Sequence, residues 1–310
     1  MSRVSWAAAA CRSLAVLLVL LPGLARAECI NMVSGAGGPA FWRQVQLGAE
    51  AAAQQNRLQL YFRGPQSERE PQMQLQVVDK VLERPCAALI IAPSGDELLG
   101  RLSRLRQAGL TTLFIDRDIG SSDVAAAVVS DNLQAGVVAG QHMVRLLKGR
   151  GRVAVLRPAS RAQSIAQRVR GFVQSASAGG LQVVFEQRLS ASEGGDRSNL
   201  AQQLQALDGV FTANESTSLI TLGALRRAKL AGQLVHIGFD ANPQLVEALR
   251  SGEMAGLLVQ QPYQMGYQSV ELALRHLRGE PGAPRTIGLA AVWVEPQGLD
   301  NADIQNLLYP

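Results

Sequence analysis

Short apolar runs alternate with stretches of helical period from residue 28 to nearly the end of this chain, and that alternation limits the fold more than anything else in it. Four of the runs stop on a polar side chain. They are Thr111–Ile115 before Asp116-Arg117, Val210–Ala213 before Asn214, Val235–Phe239 before Asp240, and Leu257–Val259 before Gln260. Apolar runs separated by helical patterns predict parallel strands covered on both faces. In open α/β sheets a ligand occupies the crevice beyond the carboxyl ends of the strands. Polar groups placed there, with no nucleophile or metal set among them, point to binding without chemistry.

The pattern divides into two series. Strands are expected near 29–34, 57–63, 87–92, 111–115 and 124–129, with helices near 40–55, 68–84 and 95–108. A second series places strands near 152–157, 181–187, 209–213, 234–239 and 255–260. Its helices are expected near 133–148, 163–177, 196–206, 216–230, 243–251 and 262–278. Gly37-Gly38-Pro39 introduces the first helix, where an early proline loses no hydrogen bond. Two such series predict two similar three-layer αβα lobes. Gly149-Arg150-Gly151 reads as a turn and Gly194-Gly195 precedes a helix, so the lobes are joined by ordinary strand-to-helix junctions, which makes a hinge.

Residues 1–27 carry Arg3, the apolar stretch Leu14–Leu21 and the small-x-small site Ala25-Arg26-Ala27. This is the pattern of a cleavable secretory signal, with cleavage after Ala27. Cys11 precedes the apolar stretch, which argues against a lipoprotein. Removing the segment removes Arg3, Arg12 and Arg26 and no acid. The formal charge then falls from +5 to +2, with 27 basic against 25 acidic residues. So small an excess gives no support to nucleic-acid or membrane-surface binding.

Cys29 and Cys86 remain, each at the start of an apolar run. If those runs are the first and third strands of a doubly wound sheet, the thiols are neighbours and an oxidising compartment joins them. The alternative is two separate buried thiols. Gly35-x-Gly37-x-x-Ala40 fits a dinucleotide fingerprint, but Tyr61-Phe62-Arg63-Gly64 supplies no acid at the end of the second strand. His142, His236 and His276 are far apart and lack a partner at ligand spacing, so no metal and no cofactor is expected. No GxSxG elbow occurs.

Several segments together resemble a known family. Thr111-Thr112-Leu113-Phe114-Ile115-Asp116-Arg117-Asp118 followed by Val129-Ser130-Asp131-Asn132 is similar to the "TIDR…SDN" signature of periplasmic sugar-binding proteins of the ribose-binding, type I class, which serve ABC transporters. Asn214-Glu215-Ser216, Leu222-Gly223-Ala224-Leu225, Ile237-Gly238-Phe239-Asp240, and Val259-Gln260-Gln261-Pro262-Tyr263 with Met265-Gly266-Tyr267 continue the likeness in the family's order. The resemblance implies a monomer that captures a monosaccharide or related polyol between its lobes and delivers it to a membrane permease. The alternative is presentation to a sensor kinase or chemoreceptor. The same module also occurs in sugar-responsive repressors, which carry an N-terminal helix-turn-helix where this chain has an export signal.

By resemblance, the first lobe comprises 28–131 plus 263–290 and the second 132–262 plus 291–310, with crossovers near 130–133, 261–264 and 289–293. Phe41 and Trp42 match the aromatic pair that stacks on the sugar. Asp116 and Arg117 match the hydroxyl-binding pair of the first lobe, and Asn214, Asp240 and Gln260 the set of the second. Two departures stand out. The family's sugar-contacting arginine aligns with Ala166, while Arg168 matches a more structural position and Arg170 is offset. Three extra residues also separate Asn214 from Gly223-Ala224. Both departures weigh against ribose itself.

Each residue also has a plain structural use. Asp240 could cap the following helix, Asp116-Arg117 could be a turn-shaping ion pair, Trp42 could be core, and Asn214 could be a cap.

Overall fold

The computed structural model describes residues 29–35, 40–65, 71–81, 83, 86–159, 162–189 and 199–308. Residues 1–27, read above as an export signal, Gly37-Gly38-Pro39 and Gly194-Gly195 lie outside them. Strands β1 (Cys29–Val33), β2 (Gln59–Arg63), β3 (Ala88–Ile91), β4 (Thr111–Asp116), β5 (Ala126–Ser130) and β11 (Thr286–Leu289) form one sheet in the order β11-β5-β4-β3-β1-β2. All its pairings are parallel. The second sheet holds β6 (Arg152–Pro158), β7 (Gln182–Leu189), β8 (Gly209–Thr212), β9 (Val235–Phe239), β10 (Gly256–Val259) and β12 (Val292–Val294), in the order β12-β10-β9-β8-β6-β7. The two lobes share one topology, each with an edge strand returned from the far end of the chain. That of the second sheet, β12, runs antiparallel to β10, a departure from the expected all-parallel sheets.

Alternation along the strands explains the layers. On β4, Leu113 and Ile115 face the core under α1 (Ala40–Gln55) and α9 (Pro262–Leu277), while Phe114 faces that under α2 (Pro71–Val81) and α3 (Leu99–Gln107). In the second lobe Phe211, Ile237 and Phe239 pack against α4 (Asn132–Leu146) and α5 (Gln163–Ala178). Val210 lies on the opposite face with α6 (Leu200–Gln205) and α7 (Glu215–Arg227). Beside it, Leu257 packs with α8 (Pro243–Arg250) and α10 (Ala302–Leu308). Each large apolar side chain removed from water in this way contributes about 1.5–3 kcal/mol.

Each lobe has one helix pair packed with backbones in contact. A Cβ on Gly48 would lie 1.9 Å from the Tyr263 carbonyl oxygen, and one on Gly266 lies as close, 1.9 Å, to that of Val45. Gly136 and Gly171 play the same part between α4 and α5, at 2.1 Å from the Arg168 oxygen and 2.2 Å from the Leu133 oxygen. Only glycine permits this spacing, and it fixes the two helices that flank the crossovers.

Cys29 and Cys86 are joined in a disulfide with Cα atoms 4.9 Å apart. β1 and β3 are indeed adjacent and parallel, which brings the two thiols together at the start of the sheet.

Three segments link the lobes, and hydrogen bonds tie them to one another. Ser130 Oγ donates to Gln260 Oε1 at 2.8 Å, Gln261 Nε2 donates to the Ala290 carbonyl at 2.8 Å, and the Asp131 amide donates to the Leu289 carbonyl at 2.8 Å.

Candidate ligand-binding cleft

The two carboxylates singled out from the sequence occupy equivalent backbone positions. Asp116 closes β4 with φ +65°, and Asp240 follows β9 with φ +66°. Aspartate tolerates this left-handed region better than most residues, because its short side chain bonds locally. Each carboxylate therefore turns off the carboxyl end of its sheet.

Asp116 pairs with Arg117, Nε to Oδ2 at 3.4 Å, and both side chains are partly exposed. This is the ion pair considered above, at the carboxyl end of β4. Asp240 is held more firmly. Gln260 Nε2 donates to Asp240 Oδ1 at 2.7 Å, and the Glu215 amide, first in α7, donates to the same carboxylate. Burial pushes the Asp240 carboxyl above its ordinary range, and the Arg168 charge and these two hydrogen bonds oppose that shift. Asp240 does not cap α8. Asn242 does, accepting from the Leu245 amide at 2.9 Å.

Asn214 is a cap, and a reciprocal one. Its Oδ1 accepts from the Thr217 amide at 3.2 Å, and the Asn214 amide donates to Thr217 Oγ1 at 3.3 Å. Its Nδ2 donates to Ser216 Oγ at 3.0 Å. The extra residues before Gly223 lie within α7, which starts immediately after Asn214. Gln260, 7% exposed, bridges Ser130 of the first lobe and Asp240 of the second. Trp42 is 3% exposed and belongs to the first-lobe core. Phe41 remains partly exposed, its ring edge-on to Trp42 with centroids 5.1 Å apart. Of the pair, Phe41 is the one with a surface to offer.

Arg168 was not chosen from the sequence, yet it occupies the middle of this arrangement. Ala166 and Arg170 are exposed, and Arg168 is the arginine that α5 turns inward, at 5% exposure. Its Nε donates to Asn132 Oδ1 at 2.8 Å, its Nη1 donates to the Ala213 carbonyl at 3.1 Å, and its guanidinium lies 3.6 Å over the Phe239 ring. Burial lowers its pKa, the charges of Asp240 and Asp116 raise it, and Arg117 lowers it. One buried cation thus feels a carboxylate from each lobe. Among the described residues no three His, Cys, Asp or Glu side chains gather as a metal set.

Such a geometry offers fixed donors and acceptors to a small polar solute. The model of the periplasmic binding protein domain matches residues 30–281. The chain belongs to the periplasmic binding protein family. These are solute-binding proteins that work outside the cytoplasm, not enzymes. The ribose import binding protein RbsB of Salmonella typhimurium is 27% identical to this family member over 217 residues, 69% of this chain and 73% of that protein. An ABC transporter solute-binding protein from Agrobacterium vitis, bound to α-D-tagatopyranose, superposes with a TM-score of 0.78 at 26% identity, covering 91% of this chain and 99% of that one. A second from the same organism, with bound D-fucose, gives 0.77 at 28% identity, covering 91% and 100%.

Proposed function

We propose that this periplasmic binding protein captures a monosaccharide or a closely related polyol between its lobes and delivers it to an ABC-type importer. The observation that carries the reading is the pair of left-handed carboxylates, one per lobe, acting on the buried guanidinium of Arg168. Asp116 and Asp240 accept from hydroxyls, Arg117 and Arg168 donate, and Gln260 and Asn214 complete the polar belt through whatever capacity their internal bonds leave. Phe41 covers an apolar C–H face, with Trp42 as the wall behind it. A hydroxyl left unpaired in the closed cleft costs about 1–3 kcal/mol, and that penalty selects among sugars.

In this reading the lobes are 28–131 plus 263–290 and 132–262 plus 291–310, and the protein is a monomer exported by a signal cleaved after Ala27. The test is a thermal-shift screen of the chain from residue 28 against D-ribose, D-tagatose, D-fucose, other pentoses and hexoses, polyols and amino acids. A solute at 100 times its dissociation constant adds about 2.7 kcal/mol of stability. Asp240→Asn keeps the left-handed backbone and removes the charge, and it should abolish the shift. If no carbohydrate moves the melting temperature and an amino acid does, the sugar reading is lost.

A further inference from the structure

Between β8 and β9 the ladder ends at Phe211↔Ile237, just before the residues that carry the second lobe's polar set. Beyond that point each end is bonded to its other neighbour, Ala213 to Leu156 and Asp240 to Leu258, and side chains span the gap between the two ends. Ser218, on α7 and 0% exposed, lies between them. Its hydroxyl has one hydrogen and two lone pairs, and each is assigned by its neighbours. The Asn214 carbonyl, 2.9 Å away, can only accept, so Ser218 Oγ donates to it. The Phe239 amide donates to Ser218 Oγ at 3.2 Å. The remaining lone pair faces Thr212 Oγ1 at 2.8 Å, which therefore supplies the hydrogen. Thr212 Oγ1 in turn lies 3.1 Å from His236 Nε2 and accepts from it, so the network assigns the Nε2–H tautomer. A longer approach of Thr212 Oγ1 to the Ile237 carbonyl, 3.3 Å, competes for the same hydrogen.

The two groups that Ser218 joins are the carbonyl of Asn214 and the amide of the residue before Asp240. Phe239 also carries the ring on which Arg168 lies. We propose that Ser218 is the positioning residue of the second-lobe half-site, its hydroxyl setting the separation of Asn214 from Asp240 and, through Phe239, the seat of Arg168. This rests on the cleft reading above. Ser218 itself does not touch the solute.

Two variants separate positioning from simple packing. Ser218→Ala removes the hydroxyl. Thr221→Val is the control, a fully buried change on the same helix at a hydroxyl with no partner among the described residues. Amide exchange of the solute-free proteins is read at Phe239 and Asp240, and D-ribose, D-tagatose and D-fucose are titrated calorimetrically. Ser218→Ala should speed exchange at Phe239 at least tenfold while the first lobe stays at wild-type rates, and should weaken binding of any sugar in the panel at least tenfold. Thr221→Val should leave both within threefold. Unchanged exchange at Phe239 in Ser218→Ala overturns the proposal whatever the sugars do. So does faster exchange with affinity still within threefold of wild type. If the wild type binds none of the three sugars, those sugars are excluded as solutes and the exchange measurement alone decides the positioning. Should Ser218→Ala not fold, Ser218→Cys, whose thiol is a weak donor and acceptor, takes its place with the same criteria.

Discussion

His236 is the second residue of β9, 0% exposed, with Nε2 against Thr212. Burial alone moves its pKa from 6.5 to about 3, so the native protein holds it neutral across the ordinary pH range. The consequence for stability has a definite sign. Above pH 6.5 both native and unfolded chains carry a neutral imidazole and the group adds no pH dependence. Between about 6.5 and about 3 the unfolded chain takes up a proton that the native state refuses, so stability falls by about 1.4 kcal/mol per pH unit. From pH 7.5 to pH 5 the loss from this residue is about 2 kcal/mol. His142 is also lowered, chiefly by burial, while burial raises Asp240 and Glu215, which act in the opposite sense. All three are present in a His236→Gln variant, so their contributions cancel in the comparison. Urea titrations followed by circular dichroism at the two pH values should show wild type losing about 2 kcal/mol more than His236→Gln. Parallel losses would refute the assignment of a neutral, unprotonatable imidazole in this core.

Three further outcomes are expected. Gly266→Ala drives a Cβ to 1.9 Å from a backbone oxygen and should cost at least about 2 kcal/mol in thermal unfolding, whereas Gly100→Ala, with open space around it, should be neutral or slightly stabilising; equal effects would dismiss the close approach of α1 and α9. Replacing Cys29 and Cys86 together by serine should lower stability by roughly 4 kcal/mol, as expected for a loop of 57-residue separation, and make the urea midpoint insensitive to reductant. Arg168→Ala strips the Asn132 and Ala213 oxygens of their donor and should cost about 3–5 kcal/mol. Arg168→Lys should recover little of it, because a point charge cannot serve both oxygens in the plane above Phe239.

Where a mostly apolar run of five or six residues closed on a polar side chain, as in β4 and β9, the sequence identified the element and its polar end together. The returned pieces β11, β12 and α10 were not identified as elements. Strands of four and three residues are too short to show a period, and their existence depends on a neighbouring edge to pair with. The positions of the candidate site residues were legible in a different measure. Asp116 and Asp240 announced themselves by closing apolar runs. Arg168 did not, because the resemblance set it aside as structural. Yet a physical signal was present: Ile165, Arg168, Val169, Phe172 and Ala176 form one stripe at helical spacing, all buried, and Arg170 falls outside it. The cap that Asn214 makes with Ser216 and Thr217 is local, but the internal partners of Gln260, and the ring of Trp42 turned into the core, depend on neighbours distant in sequence. No local pattern could have shown them.

The returned elements also govern the order in which the protein can be completed. α9 packs on α1 through Gly48 and Gly266, Asn56 Nδ2 donates to Glu271 Oε1 at 2.6 Å, and β11 pairs with β5. The lobe that begins at residue 29 therefore lacks a helix and an edge strand until residue 289 is available. A chain emerging amino end first presents the whole second sheet apart from β12 before the first lobe can close. Contacts spanning more than 200 residues make that closure slow compared with local pairing. The lobe that starts the chain thus waits for nearly its far end, and in the interval its α1 face and the β5 edge stand uncovered, targets for a chaperone or for another copy in the same unfinished state.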